Sequence, residues 1–216
     1  IWDTKRKNLF LARDRFGKKP LVYAIENNNI YFASDVKSLS CIVDGGGICK
    51  EAVKSLFRFR FIHEPLTIYK KFKKLLPGKF LIFNEYGTKY KKWFEIKSKT
   101  DVEKKISKKY LKSLIIQAVE KRLVSDVSVG IFLSGGLDSA IIMDSLSKIG
   151  KKIPTFSIGF KDESNYYNEA DNAKQIAKHY GFQNNTIYLS SKNIISHINN
   201  ILEASDEPFA DSSAIA

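Results

Sequence analysis

The chain has 216 residues, 44% hydrophobic and 27% charged, with a formal net charge of +13. That apolar share supports a sizeable core and argues against global disorder, and no apolar run reaches the roughly 18 residues that a membrane-spanning helix needs. Two cysteines, Cys41 and Cys49, are too few for a disulfide framework and lack zinc-site spacing. With nothing that resembles a signal peptide, a reducing, cytoplasmic setting is expected.

The positive charge has two readings. Phosphate neutralisation would make the chain a nucleic-acid binder; a lysine-rich bias on solvated faces would not. The lysines are scattered, as at Lys70, Lys71, Lys73 and Lys74, and the run at 103–109 opens an amphipathic pattern whose charges would face water. No zinc-finger or RNA-recognition signature accompanies them, so neither a nucleic-acid nor a membrane partner is expected. The length fits one large or two small domains. Because it opens on Ile1 and has one methionine, Met143, the chain is expected to be an internal piece of a longer protein.

Residues 1–95 read as short β-runs and turns. Runs at 8–14 and 20–25 flank Gly17 and Pro20, and 30–34 follows the turn-forming asparagines at 27–29. A short helix is expected at 50–59, then strands at 79–83 and 89–96 around "NEYG". Residues 97–104 turn to Lys, Ser, Thr and Asp, a linker composition. Beyond it Leu111, Leu114, Ile115, Ala118 and Arg122 share a helical face. A strand at 127–133, a helix at 138–149, a strand at 153–160, a helix at 168–180, a strand at 186–190 and a helix at 192–204 follow. That alternation implies a parallel sheet covered on both faces.

The strand at 127–133 stops at "SGGLDS", residues 134–139, and a helix starts behind it. Right-handed crossovers place such a turn at the rim of the sheet, where strand ends meet helix starts. Gly135 and Gly136 can take positive φ and, lacking Cβ, let a ligand touch the backbone. Their amides and the first amides of the helix are unpaired donors with a positive dipole behind them. Ser134 and Ser139 add hydroxyls, and Asp138 can hold a metal ion. The arrangement fits a phosphate group with Mg²⁺, although it lacks the lysine of the common phosphate loop. The bland alternative is a capped strand-to-helix turn with glycines for packing.

The motif "SGGLDS" after a strand resembles the pyrophosphate-binding loop of the N-type ATP pyrophosphatases. Its flanks are more specific. "RLVSDVSVGIFLSGGLDSAII", "TFSIGF", "NEADNAKQIAKHYG" and "DEPFADSSAIA" resemble the synthetase part of the glutamine-dependent asparagine synthetase family. "ARDRFGKKPLVY", "FASDVKSL" and "TIYKKFKKLLPGKFLIF" resemble the second half of that family's glutaminase domain. The resemblance implies an α/β chain in two parts. Residues 1–96 would be the C-terminal half of a class II glutamine amidotransferase domain, of the α+β, αββα N-terminal-nucleophile hydrolase type. After a linker at 97–104, residues 105–216 would open a doubly wound parallel sheet of the adenine-nucleotide alpha hydrolase type.

For chemistry, the resemblance implies ATP-dependent adenylation of the aspartate side chain. Ammonia released from glutamine then gives asparagine, AMP and pyrophosphate. Ser134, Gly135, Gly136, Asp138 and Ser139 would hold pyrophosphate, Asp138 would bind Mg²⁺, and Leu133 and Ile158 would contact the nucleotide. Asp206 and Glu207 are open between a metal or substrate role and a helix-ending acidic turn. Arg13, Asp14 and Arg15 fit a structural ion-pair role beside Gly17, and His63, His179 and His197 fit surface or packing roles. Neither cysteine is the glutaminase nucleophile, which in the family is the first residue of the mature protein, so these 216 residues alone are expected to be inactive. Aspartate, glutamine and ATP would be the small-molecule partners, and a homodimer the assembly. The alternatives are a relative that amidates another carboxylate (a sugar acid, a peptide or a β-lactam precursor), and a non-catalytic nucleotide-binding homologue.

Overall fold

The structure is a computed structural model that describes residues 1–97, 107–161 and 168–210. Apart from residue 97, the expected linker at 97–104 lies outside the described residues, as do residues 211–216 of the acidic segment. The chain forms two compact units. One holds the described residues up to 97 together with 199–210; the other holds those from 107 to 198.

In the first unit the elements run β1 (Trp2–Asp3), β2 (Asn8–Ala12), β3 (Val22–Glu26), β4 (Asn29–Ala33), α1 (Val36–Ser40), α2 (Lys50–Phe59), β5 (Lys73–Lys74), β6 (Lys79–Asn84) and β7 (Gly87–Lys92). They build a four-stranded sheet in the order β1-β2-β6-β7 and a three-stranded sheet in the order β4-β3-β5, with every pairing antiparallel. The β3–β4 hairpin turns on Asn27 (φ 49°) and Asn28 (φ 58°). Asparagine is one of the few residues that enters this left-handed region readily, and the turn matches the twist of paired strands.

β3 is the centre of this unit because both of its faces are covered. Tyr23 packs with Leu11, Leu75 and Leu81, which stacks β3 on the four-stranded sheet. Val22 and Ala24, pointing the other way, pack with Val36 and Leu39 of α1 and with Phe72. α1 is absent from the sequence expectation, since five residues are too few to show an apolar period. Tertiary packing of its two buried residues and a cap, Asp35 accepting the Ser38 N–H at 2.7 Å, hold it instead. A helical layer on the outer side of the four-stranded sheet, which the αββα expectation requires, is not seen among the described residues.

The second unit runs α3 (Lys108–Glu120), β8 (Ile131–Phe132), α4 (Leu137–Ile149), β9 (Thr155–Phe160), α5 (Ala170–Tyr180) and β10 (Asn184–Leu189). α6 (Ser191–Ala204) follows, and the division between the units falls within it. The sheet is parallel, in the order β10-β9-β8. Ile131 and Leu133 face a core of Met143, Leu146, Ala173, Ala177 and Phe182, so α4 and α5 cover the same face. The expected cover on both faces is therefore not met among the described residues: on the opposite face Phe132 is 84% and Ile187 60% exposed. The reason is topological. The strands advance in one direction across the sheet, and right-handed crossovers then place both helices on one side.

Two expectations shrink. The strand at 127–133 reduces to Ile131–Phe132, which are in register with Thr155 and Phe156 of β9, and Val127 is exposed. The helical face expected around Leu111 and Leu114 is largely exposed; α3 meets the core through Val119, with Leu123 just beyond its end.

Candidate functional site

Residues 133–136 form the loop that joins β8 to α4, and residues 137–139 are the first turn of α4. At its start Leu133 is fully committed. Its side chain lies in the core, its N–H donates to Phe156 O at 2.8 Å, and its carbonyl accepts Ser157 Oγ at 2.8 Å. The loop thus leaves the sheet from a fixed point.

The two glycines have different tasks. Gly135 has φ +84°, and a Cβ there would lie 2.8 Å from Glu169 O and 3.0 Å from Ala173 N. Its bareness is used by the start of α5. Gly136 has φ −82° and caps α4 with no side-chain hydrogen bond. A Cβ there would meet only Ser134 Oγ, at 3.4 Å. Of the two, Gly136 has open space beside it, whereas Gly135 is packed against the start of α5. The first-turn amides of an α-helix have no acceptor within it, and Gly136 offers those of α4 no side-chain cap.

The two serines also differ. Ser139 is buried and donates to Gly136 O at 3.0 Å, while Ser134 Oγ lies 3.1 Å from Ser139 Oγ and accepts the Gly136 N–H at 3.3 Å. Ser139 braces the loop from below. Ser134 is exposed on its rim, as is Asp138 in the first turn of α4. Among the described residues no group of three or more His, Cys, Asp or Glu side chains could hold a metal ion. Asp138 belongs to no such group; a single exposed carboxylate is nonetheless the kind of donor that Mg²⁺ uses, since that ion keeps several waters and is held by one or two carboxylates together with substrate phosphates.

Ile158 sits on β9 two residues past Phe156, the last residue paired with β8. It is paired on its other side with Ile187 of β10. At Ile158, beside the loop, the sheet therefore presents an open edge on the β8 side. Ser157 is a site residue that sequence reasoning missed. Buried at the centre of β9, it donates to Leu133 O and accepts from Asn184 Nδ2 at 3.0 Å. The signal was available: Thr155, Ser157 and Gly159 alternate with Phe156, Ile158 and Phe160, which puts a hydroxyl at a core position that needs a partner.

In the first unit, Arg13 is 7% exposed and donates to Lys19 O, Gly17 O and Leu75 O, and to Glu64 Oε1 at 2.7 Å. Asp14 accepts the N–H groups of Lys19, Lys18 and Phe16, which hold its carboxyl below the usual carboxylate range, Lys19 most strongly. Arg15 lies over the Phe94 and Trp93 rings. These residues build the Gly17 turn. His63 Nδ1 lies 2.5 Å from Ser55 Oγ, which also lies 3.0 Å from Phe61 O as its donor; His179 packs edge-on to Tyr180. Asp206 and Glu207 are not poised for a metal: each carboxylate oxygen is taken by a main-chain N–H or a lysine of the first unit.

Residues 1–94 match the family described as glutamine amidotransferase domain, and residues 110–216 match that described as asparagine synthase. The two matches follow one another along a single chain, an amidotransferase-type stretch and then a synthase-type stretch. The chain is 35% identical over all of its length to asparagine synthetase [glutamine-hydrolyzing] 1 of Bacillus subtilis, and covers 34% of that protein. It is 33% identical over 98% of its length to a putative asparagine synthetase [glutamine-hydrolyzing] 2 of Methanocaldococcus jannaschii, covering 42% of it. An amidase, chry2, of Gibberella zeae is 25% identical over 98% of this chain, which covers 34% of it. The chain belongs to the glutamine-hydrolysing asparagine synthetase family, and it spans about a third of the length of the Bacillus subtilis relative. Among solved structures, an NH3-dependent NAD synthetase from Campylobacter jejuni superposes on 51% of this chain and 45% of its own, at 14% identity and a TM-score of 0.35.

Proposed function

We propose that the protein is a glutamine-dependent asparagine synthetase, with ATP, aspartate and glutamine as substrates and Mg²⁺ as its metal. Residues 1–96 belong, in this reading, to an N-terminal-nucleophile type glutaminase domain, and residues 105–216 to a synthetase domain of the ATP-pyrophosphatase type. The observation that carries it is the uncapped start of α4, with Gly136 open beside it and Ile158 on an unpaired edge.

The chemistry follows from those positions. A carboxylate is a poor acyl donor. Attack of an aspartate side-chain oxygen on the α-phosphorus of ATP, with breakage of the α–β bridge, turns it into an acyl phosphate ester with AMP as leaving group. Ammonia nitrogen then bonds to the acyl carbon and AMP departs, leaving asparagine. Negative charge gathers on the departing pyrophosphate. In this reading the amides of Leu137 and Asp138 receive it, joined by the Gly136 amide and the Ser134 hydroxyl once these two part from each other. Mg²⁺, when bound, supplies additional charge neutralisation through Asp138. Gly135 and Ser139 act from behind, setting the loop's path. The open edge at Ile158 is where the nucleotide's base or sugar would meet main chain, and Leu133 fixes the loop's origin.

A stretch 25% identical to this chain occurs in a protein named an amidase, so the acceptor is identified by direct assay. Full-length protein with ATP and ammonium should release pyrophosphate with aspartate and form asparagine. Release with a sugar acid or peptide carboxylate in place of aspartate would identify an amidotransferase of different acceptor, and no release with any acid would leave a nucleotide-binding homologue.

A further inference from the structure

Leu133, from which the loop leaves the sheet, is held by more than its own strand. Its carbonyl accepts the Ser157 hydroxyl at 2.8 Å. Two side chains of β10 stand behind that hydroxyl. Asn184 Nδ2 donates to Ser157 Oγ at 3.0 Å, and Thr186 Oγ1 donates to Asn184 Oδ1 at 2.8 Å. Asn184 and Thr186, two residues apart on one strand, share a face. Every bond runs the same way, from Thr186 through Asn184 and Ser157 to Leu133. A serine hydroxyl has one proton to donate. While Asn184 donates to the Ser157 oxygen, that proton goes to Leu133 O. Thr186, by donating to Oδ1, keeps the Asn184 NH₂ turned toward Ser157. The peptide bond after Leu133 is trans, so the Ser134 N–H points opposite to the Leu133 carbonyl in the same plane. Holding that carbonyl therefore sets the direction of the amide that follows it in the loop.

We infer that Asn184 is a positioning residue for the loop at 133–136: by donating to Ser157 rather than accepting from it, Asn184 aims the Ser157 proton at Leu133 O and fixes the peptide plane from which the proposed pyrophosphate-binding groups start. Its place in the reaction rests on the synthetase reading above. In Asn184→Asp a side chain of the same shape accepts instead, so the Ser157 proton turns toward it and Leu133 O loses its donor. In Asn184→Leu nothing accepts, and the proton stays on Leu133 O. A merely structural Asn184 would give the opposite order of damage, since Asp keeps the polar shape and Leu does not.

The test uses full-length protein with Asn184→Asp, Asn184→Leu, Ser157→Ala, and Asn184→Asp combined with Ser157→Ala. Pyrophosphate release gives kcat/KM for ATP and KM for aspartate. Asn184→Asp should lower kcat/KM for ATP by about tenfold or more, the scale of loss when reacting groups are misplaced by an ångström, with KM for aspartate unchanged. Asn184→Leu should lose less. In the Ser157→Ala background there is no proton to aim, so Asn184→Asp should cost nothing further. A larger loss in Asn184→Leu than in Asn184→Asp overturns the proposal, as does an undiminished effect of Asn184→Asp in the Ser157→Ala background. Should Asn184→Asp fail to fold, the same cycle is run with Thr186→Val, which frees the Asn184 amide to turn; its loss of kcat/KM should vanish with Ser157→Ala, and a loss that persists overturns the proposal. If unmodified protein releases no pyrophosphate with any acid, the functional reading fails instead. The relay is then judged by amide hydrogen exchange: the Leu133 amide, bonded to Phe156 O, should exchange faster in Asn184→Asp relative to that of Ile131, bonded to Pro154 O, and an unchanged ratio overturns it.

Discussion

Neighbouring residues of the same type do different jobs in this chain, and substitution separates them. Gly135→Ala places a Cβ at φ +84° and 2.8 Å from Glu169 O. It should lower stability by about 2 kcal/mol or more, read by denaturant unfolding. Gly136→Ala occupies an ordinary backbone region with open space ahead. It should change stability by less than about 1 kcal/mol, yet weaken ATP binding in a titration of full-length protein. Arg13→Lys keeps the charge but loses the fork that reaches three carbonyls and Glu64, and a loss of about 2 kcal/mol is expected on thermal unfolding. Asp14 adds a pH dependence. Its carboxyl is lowered by the Lys19 and Lys18 amides, so its contribution is complete above the ordinary carboxylate value and disappears as pH falls through the lower folded value. Asp14→Asn should therefore melt below the unmodified chain at neutral pH, and the gap should close below about pH 4.

At the scale of elements, β9 organises the second unit. Ser157 ties it to the end of β8 through Leu133 O and to β10 through Asn184. Ser157→Ala should cost about 1–2 kcal/mol, because a buried carbonyl and a side-chain amide each lose a partner. It should also loosen the loop, seen as faster amide exchange at Gly135 and Gly136. The longer elements were readable from sequence: α2, Lys50–Phe59, matches its expected bounds, and α4 and α5 end at Gly150 and Gly181, both in the left-handed conformation. β1, β5 and α1 were not readable. Strands of two residues carry no alternation, and α1 exists because Val36 and Leu39 find a core built by β3 and Phe72.

For the whole molecule, the proposed function makes nucleotide binding the property that joins the loop to the rest. ATP with Mg²⁺ should raise the melting temperature of full-length protein, since a ligand that binds only the folded state stabilises it. Asp138→Ala should reduce that rise while leaving the melting temperature without ATP near the unmodified value, because Asp138 is exposed. An equal rise in the variant would remove Asp138 from the metal's neighbourhood.

The order of residues by itself determined the family, the alternation of strands and helices, and the strand–loop–helix device at 134–139, since each is written in local spacing. Tertiary structure decided what spacing cannot express. It assigned Gly135 to packing and Gly136 to the open rim, because the difference lies in what α5 places nearby. It revealed Ser157 as the brace beneath the loop. It also turned Asp206 and Glu207 from candidate ligands into acceptors for distant amides, contacts separated by well over a hundred residues of chain that no local pattern can encode.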